Sequence, residues 1–302
     1  LSKRLDKERN TVINANFFWH GPALSLYEMA CLSSFVNHHC KVQLHTFNKD
    51  LQVPEGVELC DASELADVEE VFVYTQGGHK NSVAAFTDIF RYRVLSREPG
   101  WWFDTDVFCL KDASFYLELQ SQSKGILLGF EEPGKVNGAV FYVSNPDLAK
   151  ELERRANLKG KVLDAWGEIG PQLVTQFIQE FPELVTVLPQ KYFYPIHYLE
   201  VARFFRPQEL AGCLESAEEA VCVHLWNEFL RRWHIPKNIL PCEGSYLGHL
   251  FSGIEVSVAA SATLPNDSFE ALLHNGQIGR VGIKALNSIR AIKRFKESAL
   301  GR

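Results

Sequence analysis

The stretch Trp101-Trp102-Phe103-Asp104-Thr105-Asp106-Val107 decides how the rest of this chain reads. Three aromatic residues form a strongly apolar strand that runs straight into two carboxylates one residue apart. In extended backbone, residues i and i+2 share a face at about 6–7 Å between Cα atoms, so Asp104 and Asp106 are expected to converge. Two carboxylates that close repel unless a cation sits with them. Oxygen donors suit Mg²⁺ or Mn²⁺ rather than zinc or copper, and a divalent ion carrying a diphosphate is the simplest partner. The tripeptide alone is weak evidence. The chain has 11 Asp in 302 positions, so about 0.4 such pairs arise by chance. Its setting strengthens it: Pro99-Gly100 sets the entry of the strand, and the preceding segment carries Asp88 and Arg91 one helical turn apart.

Outward from this stretch, strand and helix patterns alternate. Strands are predicted over 11–18, 41–47, 70–74, 101–110, 125–130, 139–143 and 220–225, and helices over 24–37 and 82–96. The second helix is expected to start at an Asn81 or Ser82 cap and to stop before Pro99-Gly100. Asn145 should cap a further helix that opens with Pro146, a residue favoured at the first helical position. Such alternation predicts an α/β fold with a mixed, mostly parallel central sheet. Ligands of such sheets bind in the crevice at the carboxyl ends of the strands, where the acidic pair falls.

The chain is 46% hydrophobic and 23% charged, enough apolar content for a large core and too much for general disorder. No run of 18 apolar residues occurs. The net charge of −6 excludes a general nucleic-acid binder but is unevenly spread. Residues 278–302 carry seven Lys/Arg against one acid, leaving −12 on the first 277. Ile278, Val281, Ala285, Ile289 and Ile292 in that stretch follow helical spacing, so a basic amphipathic helix is expected there, either packed on the body with its basic face solvated or lying against anionic lipid. The seven scattered Cys include no Cys-x-x-Cys, which fits a reducing, cytoplasmic setting better than a disulfide framework. Met29 is the only Met, so the chain reads as processed or partial. A removed anchor would instead fit a Golgi-type lumenal location.

Phe86-Thr87-Asp88-Ile89-Phe90-Arg91-Tyr92, followed by Pro99-Gly100 and the acidic strand end, resembles the core of the glycosyltransferases with an Asp-x-Asp sugar-binding region. This family-32-like group includes α-1,4-galactosyltransferases, initiation mannosyltransferases and, more distantly, the catalytic domains of large clostridial toxins. Pro99 stands where the group usually has a first turn Gly. Looser likenesses are Phe18-Trp19-His20-Gly21, Asn137-Gly138-Ala139, Gly170-Pro171-Gln172-Leu173 and Val223-His224-Leu225-Trp226-Asn227.

The resemblance implies a GT-A type fold, with a single nucleotide-binding domain over 1–245 and a C-terminal helical extension over 246–302. It implies a retaining hexosyltransferase that uses Mn²⁺ or Mg²⁺ and a nucleotide sugar, UDP-linked, carrying a hexose or N-acetylhexosamine. The acceptor would be a hydroxyl of a glycan, a lipid-linked molecule or a protein, as in polysaccharide biosynthesis. Asp104, Asp106 and Arg91 are the expected catalytic set. Asp106 and His224 are the expected metal ligands, with Asp104 reaching the ion directly or through water. Donor binding is assigned to Trp19, Asp88, Arg91, Tyr92, Asp104, Thr105, Asn137, Gly138, Trp226 and Asn227, and acceptor contacts to Trp166, Glu168 and Gln172. For Asp88 and Arg91 the alternative is a plain intrahelical surface ion pair. Two other functions compete: an inactive sugar-nucleotide or glycan-binding module of the same fold, and a haloacid-dehalogenase-type phosphatase. Against the phosphatase, Phe108 stands where a Thr or Val is usual, and the motif arrives late in the chain.

Overall fold

The computed structural model describes residues 12–75, 80–163, 165–254 and 262–275. Its frame is a seven-stranded sheet. In chain order the strands are β1 (Asn14–Trp19), β2 (Lys41–Thr46), β3 (Val57–Asp61), β4 (Gly100–Phe103), β6 (Ile126–Glu132), β7 (Lys135–Val143) and β8 (Val185–Leu188). They lie side by side in the order β3-β2-β1-β4-β7-β6-β8. Only β7 runs against its neighbours, so the sheet is mixed and mostly parallel, as expected. The remaining strands, β5 (Val107–Cys109) and β9 (Cys222–His224), pair antiparallel in a separate small sheet.

Helices cover both faces, which is why the central strands are apolar on both sides. Helix α1 (Leu26–Asn37) starts at a capping box in which the Ser25 hydroxyl accepts from the backbone and Glu28 reaches back. Helix α2 (Ala84–Leu95) begins two residues inside the expected start, with the Ser82 hydroxyl accepting from Ala84 N–H at 3.3 Å. Helix α3 (Ala113–Gln120) follows β5. Asn145 does cap α4 (Pro146–Lys159), and α5 (Pro171–Glu180) also opens on Pro. The short helices α6 (Leu210–Ser216), α7 (Asn227–Arg232) and α8 (Tyr246–Ser252) follow, and residues 266–275 are helical at the end of the described part.

The aromatic run of β4 is divided between the two faces by strand alternation. Trp101 and Phe103 enter one core with Phe17, Phe35 and Tyr116, while Trp102 enters the other with Phe18, Phe86, Phe90 and Phe141. Phe35 of α1 sits with its ring 5.1 Å from Phe17 and 4.4 Å from Phe103, directly under the acidic strand end. Residues on both sides of position 245 share the first core: Phe251 packs edge-on against Tyr27 at 5.0 Å.

Three expectations need correction. The predicted strand over 101–110 is two strands, broken at Asp104-Thr105-Asp106, where Val107 N–H donates to the Asp104 carbonyl at 3.0 Å and closes a turn. The strand predicted over 70–74 does not form: Glu70 ends a short 3₁₀ turn (Val68–Glu70), and Tyr74 N–H pairs with the Ser82 carbonyl instead. Strands β3 and β8 were not anticipated, being only five and four residues long and interrupted by polar residues. The predicted basic helix over 278–302 lies outside the described residues. Among the described residues no helix is long and apolar enough to cross a membrane.

Replacing Phe35 with Ala removes a fully buried ring from this core and is expected to cost about 3–5 kcal/mol. Urea unfolding followed by tryptophan fluorescence measures it; a loss under ~1 kcal/mol would contradict the described packing.

Candidate active site

The acidic turn stands at the carboxyl end of β4, between β1 and β7. Asp104 N–H donates to the Ala139 carbonyl of β7 at 2.8 Å, which ties the turn to the sheet. Asp104 and Asp106 do converge, but through the turn and not through a shared strand face. With His224 they form a group whose ligand atoms all lie within 4.8 Å of one another.

Behind Asp104 lies a buried cation. Arg91 of α2 donates from Nη1 to Asp88 Oδ1 at 2.7 Å and from Nη2 to Asp104 Oδ1 at 3.0 Å. Trp102 Nε1 donates to the same Asp104 oxygen at 2.8 Å. The Arg91 side chain is 3% exposed, so the surface-pair alternative does not hold. Burial works against the Arg91 charge, yet Asp104 and Asp88 together raise its pKa. The Asp88 carboxyl is pushed up to about 6, first by burial and then by the Asp104 charge, with Arg91 opposing both. Two glycines make room for these groups. A Cβ at Gly138 would collide with Arg91 Nη1, and one at Gly170 would collide with the Asp88 carboxylate. Gly138 therefore serves Arg91 sterically in this structure.

Asp106 faces the small sheet. Register places Val107 opposite His224, and Leu225 N–H donates to the Asp106 carbonyl at 2.8 Å. His224 Nε2 lies 3.2 Å from Asp106 Oδ1, and Asn227 N–H donates to Oδ2 at 2.8 Å. Trp226 adopts a left-handed conformation, φ 58°, to turn that N–H inward. Burial alone would raise the Asp106 carboxyl. The His224 charge and hydrogen bond, the Asn227 N–H and the Lys237 charge outweigh it and hold Asp106 below the usual carboxylate range. Burial likewise disfavours a charged His224, but Asp106, with Asp104 and Glu131 behind it, raises its pKa.

The other expected site residues are distributed unevenly. Thr105 is the middle of the turn. Tyr92 is fully buried, its hydroxyl donating to the Ile169 carbonyl at 3.0 Å, so it anchors the loop before α5 and its side chain does not face the turn. Asn137 uses its side chain internally, donating to Glu131 at 2.7 Å and accepting from Ala139 N–H at 2.7 Å. Trp226 is buried against His224 and Tyr194, with Nε1 donating to the Ile196 carbonyl. Trp19 ends β1, and its buried Nε1 has no hydrogen-bond partner among the described residues. Trp166 packs against Tyr74 with ring centres 4.9 Å apart and planes tilted by 34°, on the loop that delivers Gly170 to Asp88. On that loop Glu168 accepts from Ala165 N–H, and Gln172 donates to the Trp166 carbonyl at 3.0 Å, so both also brace the loop itself.

Sequence reading missed Glu28, Glu131, Tyr194 and Lys237. Glu131 is a buried carboxylate at the end of β6, paired with Lys135. Tyr194 donates to the Asn137 carbonyl and lies 5.9 Å from the His224 ring. Glu28 and Lys237 form an ion pair beside Asn227. Only Glu28 had a visible signal, the Ser25-x-x-Glu28 capping spacing, and that points to a helix start and not to a site.

Residues 25–125 match the family model described as a glycosyltransferase sugar-binding region containing DXD motif. Residues 163–240 match the alpha 1,4-glycosyltransferase conserved region. The chain is 27% identical over 196 residues to the lactosylceramide 4-alpha-galactosyltransferase of Mus musculus, a match covering 56% of this chain and 51% of the relative. It thus spans about half the length of the curated relative it matches. Among solved structures it is similar to the glycosyltransferase GlyE of Streptococcus pneumoniae TIGR4, with TM-score 0.43 and 13% identity over 71% of this chain and 54% of that one. A glycosyltransferase involved in glycosylation of the major capsid of PBCV-1 gives TM-score 0.41 and 13% identity over 71% and 94%.

Removing the buried cation should be costly, because Asp88 and Asp104 would face each other uncompensated. Arg91→Ala is expected to lower the unfolding free energy by about 3–5 kcal/mol, and Gly138→Ala by ~1–3 kcal/mol through crowding of the guanidinium. Chemical denaturation reads both. A change within ~0.5 kcal/mol for both variants would show that Arg91 is solvated and free to move.

Proposed function

We propose that this chain, a glycosyltransferase of the DXD type by its family matches, transfers a hexose or N-acetylhexosamine from a UDP-sugar to an acceptor hydroxyl with retention of configuration and with a divalent metal. The acceptor on this reading is a glycan or a lipid-linked molecule. The observation that carries the proposal is the grouping of Asp104, Asp106 and His224 within 4.8 Å at the carboxyl end of the parallel strands.

The donor set suits the ion. Two carboxylates and one imidazole offer oxygen and nitrogen ligands, a combination that favours Mn²⁺ over Mg²⁺, whose sites are almost all oxygen. Among the described residues, buried His224 Nδ1 and Asn227 Oδ1 have no hydrogen-bond partner, so polar capacity at this place is left for a ligand. When bound, the metal supplies Lewis-acid stabilisation of the charge that develops on a leaving diphosphate.

The chain's own groups do the positioning. Arg91 neutralises Asp104 and fixes which of its oxygens faces away from the guanidinium. Asn227 N–H orients the Asp106 carboxylate through Oδ2 without adding charge. A groove of about 400 Å³ lies beside Trp19, at the ends of β1 and β2, lined by His20, Gly21, Pro22, Thr46, Phe47 and Asn48. It is the proposed seat of the nucleoside, following the rule that α/β sheets bind ligands at strand carboxyl ends. Trp166, exposed in part and tilted against Tyr74, sits on the loop that packs against Asp88, and the acceptor sugar is proposed to lie beside this loop. Retention is assigned to front-face displacement, in which the protein contributes orientation and electrostatics without a covalent nucleophile.

Donor hydrolysis screened with UDP-glucose, UDP-galactose, UDP-N-acetylglucosamine, UDP-N-acetylgalactosamine and GDP-mannose plus Mn²⁺ tests the proposal without knowledge of the acceptor. One UDP-sugar is expected to be hydrolysed, with EDTA abolishing turnover. Asp106→Ala should lose roughly 100-fold or more while still unfolding cooperatively. Wild-type turnover in that variant, or turnover indifferent to EDTA, would refute the metal reading.

A further inference from the structure

Glu28 lies on α1, near the start of the helix, and is 1% exposed. A helix cap needs only one of its carboxylate oxygens, and Gln caps as well as Glu. Here Oε2 serves the cap, accepting from Ser25 N–H at 2.9 Å and from the Ser25 hydroxyl. The other oxygen faces the opposite way. Oε1 accepts from Asn227 Nδ2 at 2.7 Å and is paired with Lys237 Nζ. The same junction is closed through the backbone, where Leu26 N–H donates to the Lys237 carbonyl at 3.1 Å. A buried carboxylate is costly unless paired, so the cap by itself does not account for a charged residue at this position.

What this second oxygen holds is the turn on Asp106. Asn227 uses its side chain on Glu28 and its backbone N–H on Asp106 Oδ2. The residue before it, Trp226, sits at φ 58°, a conformation that a bulky residue keeps only when its surroundings over-determine it. One restraint is Trp226 Nε1 on the Ile196 carbonyl; the Glu28–Asn227 bond is the second. We propose that Glu28 is a positioning residue for the metal centre: through Asn227, and with Lys237 as counter-ion, it fixes the orientation of the Asp106 carboxylate towards Asp104 and His224. This rests on the metal reading given above. It assigns Glu28 a role for which a helix cap alone is an insufficient account. It also links the helix that follows the nucleoside-side strand β1 to the metal-side turn.

The test is Mn²⁺ affinity of the full chain, measured by electron paramagnetic resonance of free Mn²⁺ without donor, beside thermal melting of each variant. Glu28→Gln and Asn227→Ala are each expected to weaken Mn²⁺ binding about 10-fold, the size typical of losing a group that orients a metal ligand. Asn227→Ala keeps the backbone N–H but removes the whole side chain, the unpartnered Oδ1 included, so its effect reads that side chain as a unit and Glu28→Gln isolates its hold on Glu28. The double variant should bind no more weakly than the weaker single one, since both act along one path. Ser25→Ala removes the hydroxyl, with its bond to Oε2 and the one it accepts from Tyr27 N–H, while the backbone N–H stays on Oε2 and Oε1 is untouched; it should lower the melting temperature and leave Mn²⁺ affinity at the wild-type value. If Glu28→Gln does not fold, Asn227→Ala carries the test. Wild-type affinity in both Glu28→Gln and Asn227→Ala overturns the inference, as does equal weakening by Ser25→Ala. A wild-type chain that binds no Mn²⁺ overturns the metal reading instead, and this inference with it.

Discussion

The site depends on one buried cation placed between two carboxylates. Without the Arg91 guanidinium, the buried Asp88 and the part-buried Asp104 would face each other with nothing to balance their charge. That requirement propagates outward. It demands a helix that presents Asp88 and Arg91 on one face, and a strand whose alternation turns Trp102 Nε1 towards Asp104. It also demands Gly138 and Gly170, because any side chain at either place would occupy the volume of the ion pair. The two glycines belong to β7 and to the loop before α5, so the ion pair fixes how close both come to α2.

Asp106 is balanced differently, from the other sheet. Its partners are an imidazole on β9 and a backbone N–H at the start of α7. The turn Asp104-Thr105-Asp106 thus joins two separately built halves, one organised by Arg91 and one by His224 and Asn227. Each carboxylate has a partner that leaves its group facing the common centre. Such a centre is pre-arranged for a cation, because Arg91 and Trp102 hold Asp104 and the Asn227 N–H holds Asp106, and none of these three is in the ligand set.

Much of this was legible in the sequence, for physical reasons that differ by residue. The apolar run of β4 and the Asp pair are local patterns, and the helical spacing of Asp88 and Arg91 is fixed by 3.6 residues per turn. The mostly parallel sheet followed from alternating strands and helices. The geometric reason given for convergence was wrong: the chain turns at Asp104–Asp106 because β4 ends in one sheet and β5 begins in another. Burial of Arg91 was not readable either, since an Asp-x-x-Arg spacing on a helix looks the same at the surface and in a core. Strands β3 and β8 are short and carry polar residues, so periodicity was silent. Glu28, Glu131 and Lys237 act across long sequence separations, where a single sequence holds no signal of contact. Gly138 stood out in the sequence, but its use, space for a guanidinium from another element, needed the fold.

On the proposed function, Asp104, Asp106 and His224 together hold one divalent metal. The most direct measurement is anomalous diffraction at the manganese edge from crystals of this chain grown with Mn²⁺ and UDP. It should show a single strong peak bonded to Asp106 and His224, with Asp104 in the same coordination sphere, directly or through one water. A peak elsewhere, or none here at saturating Mn²⁺, would contradict it.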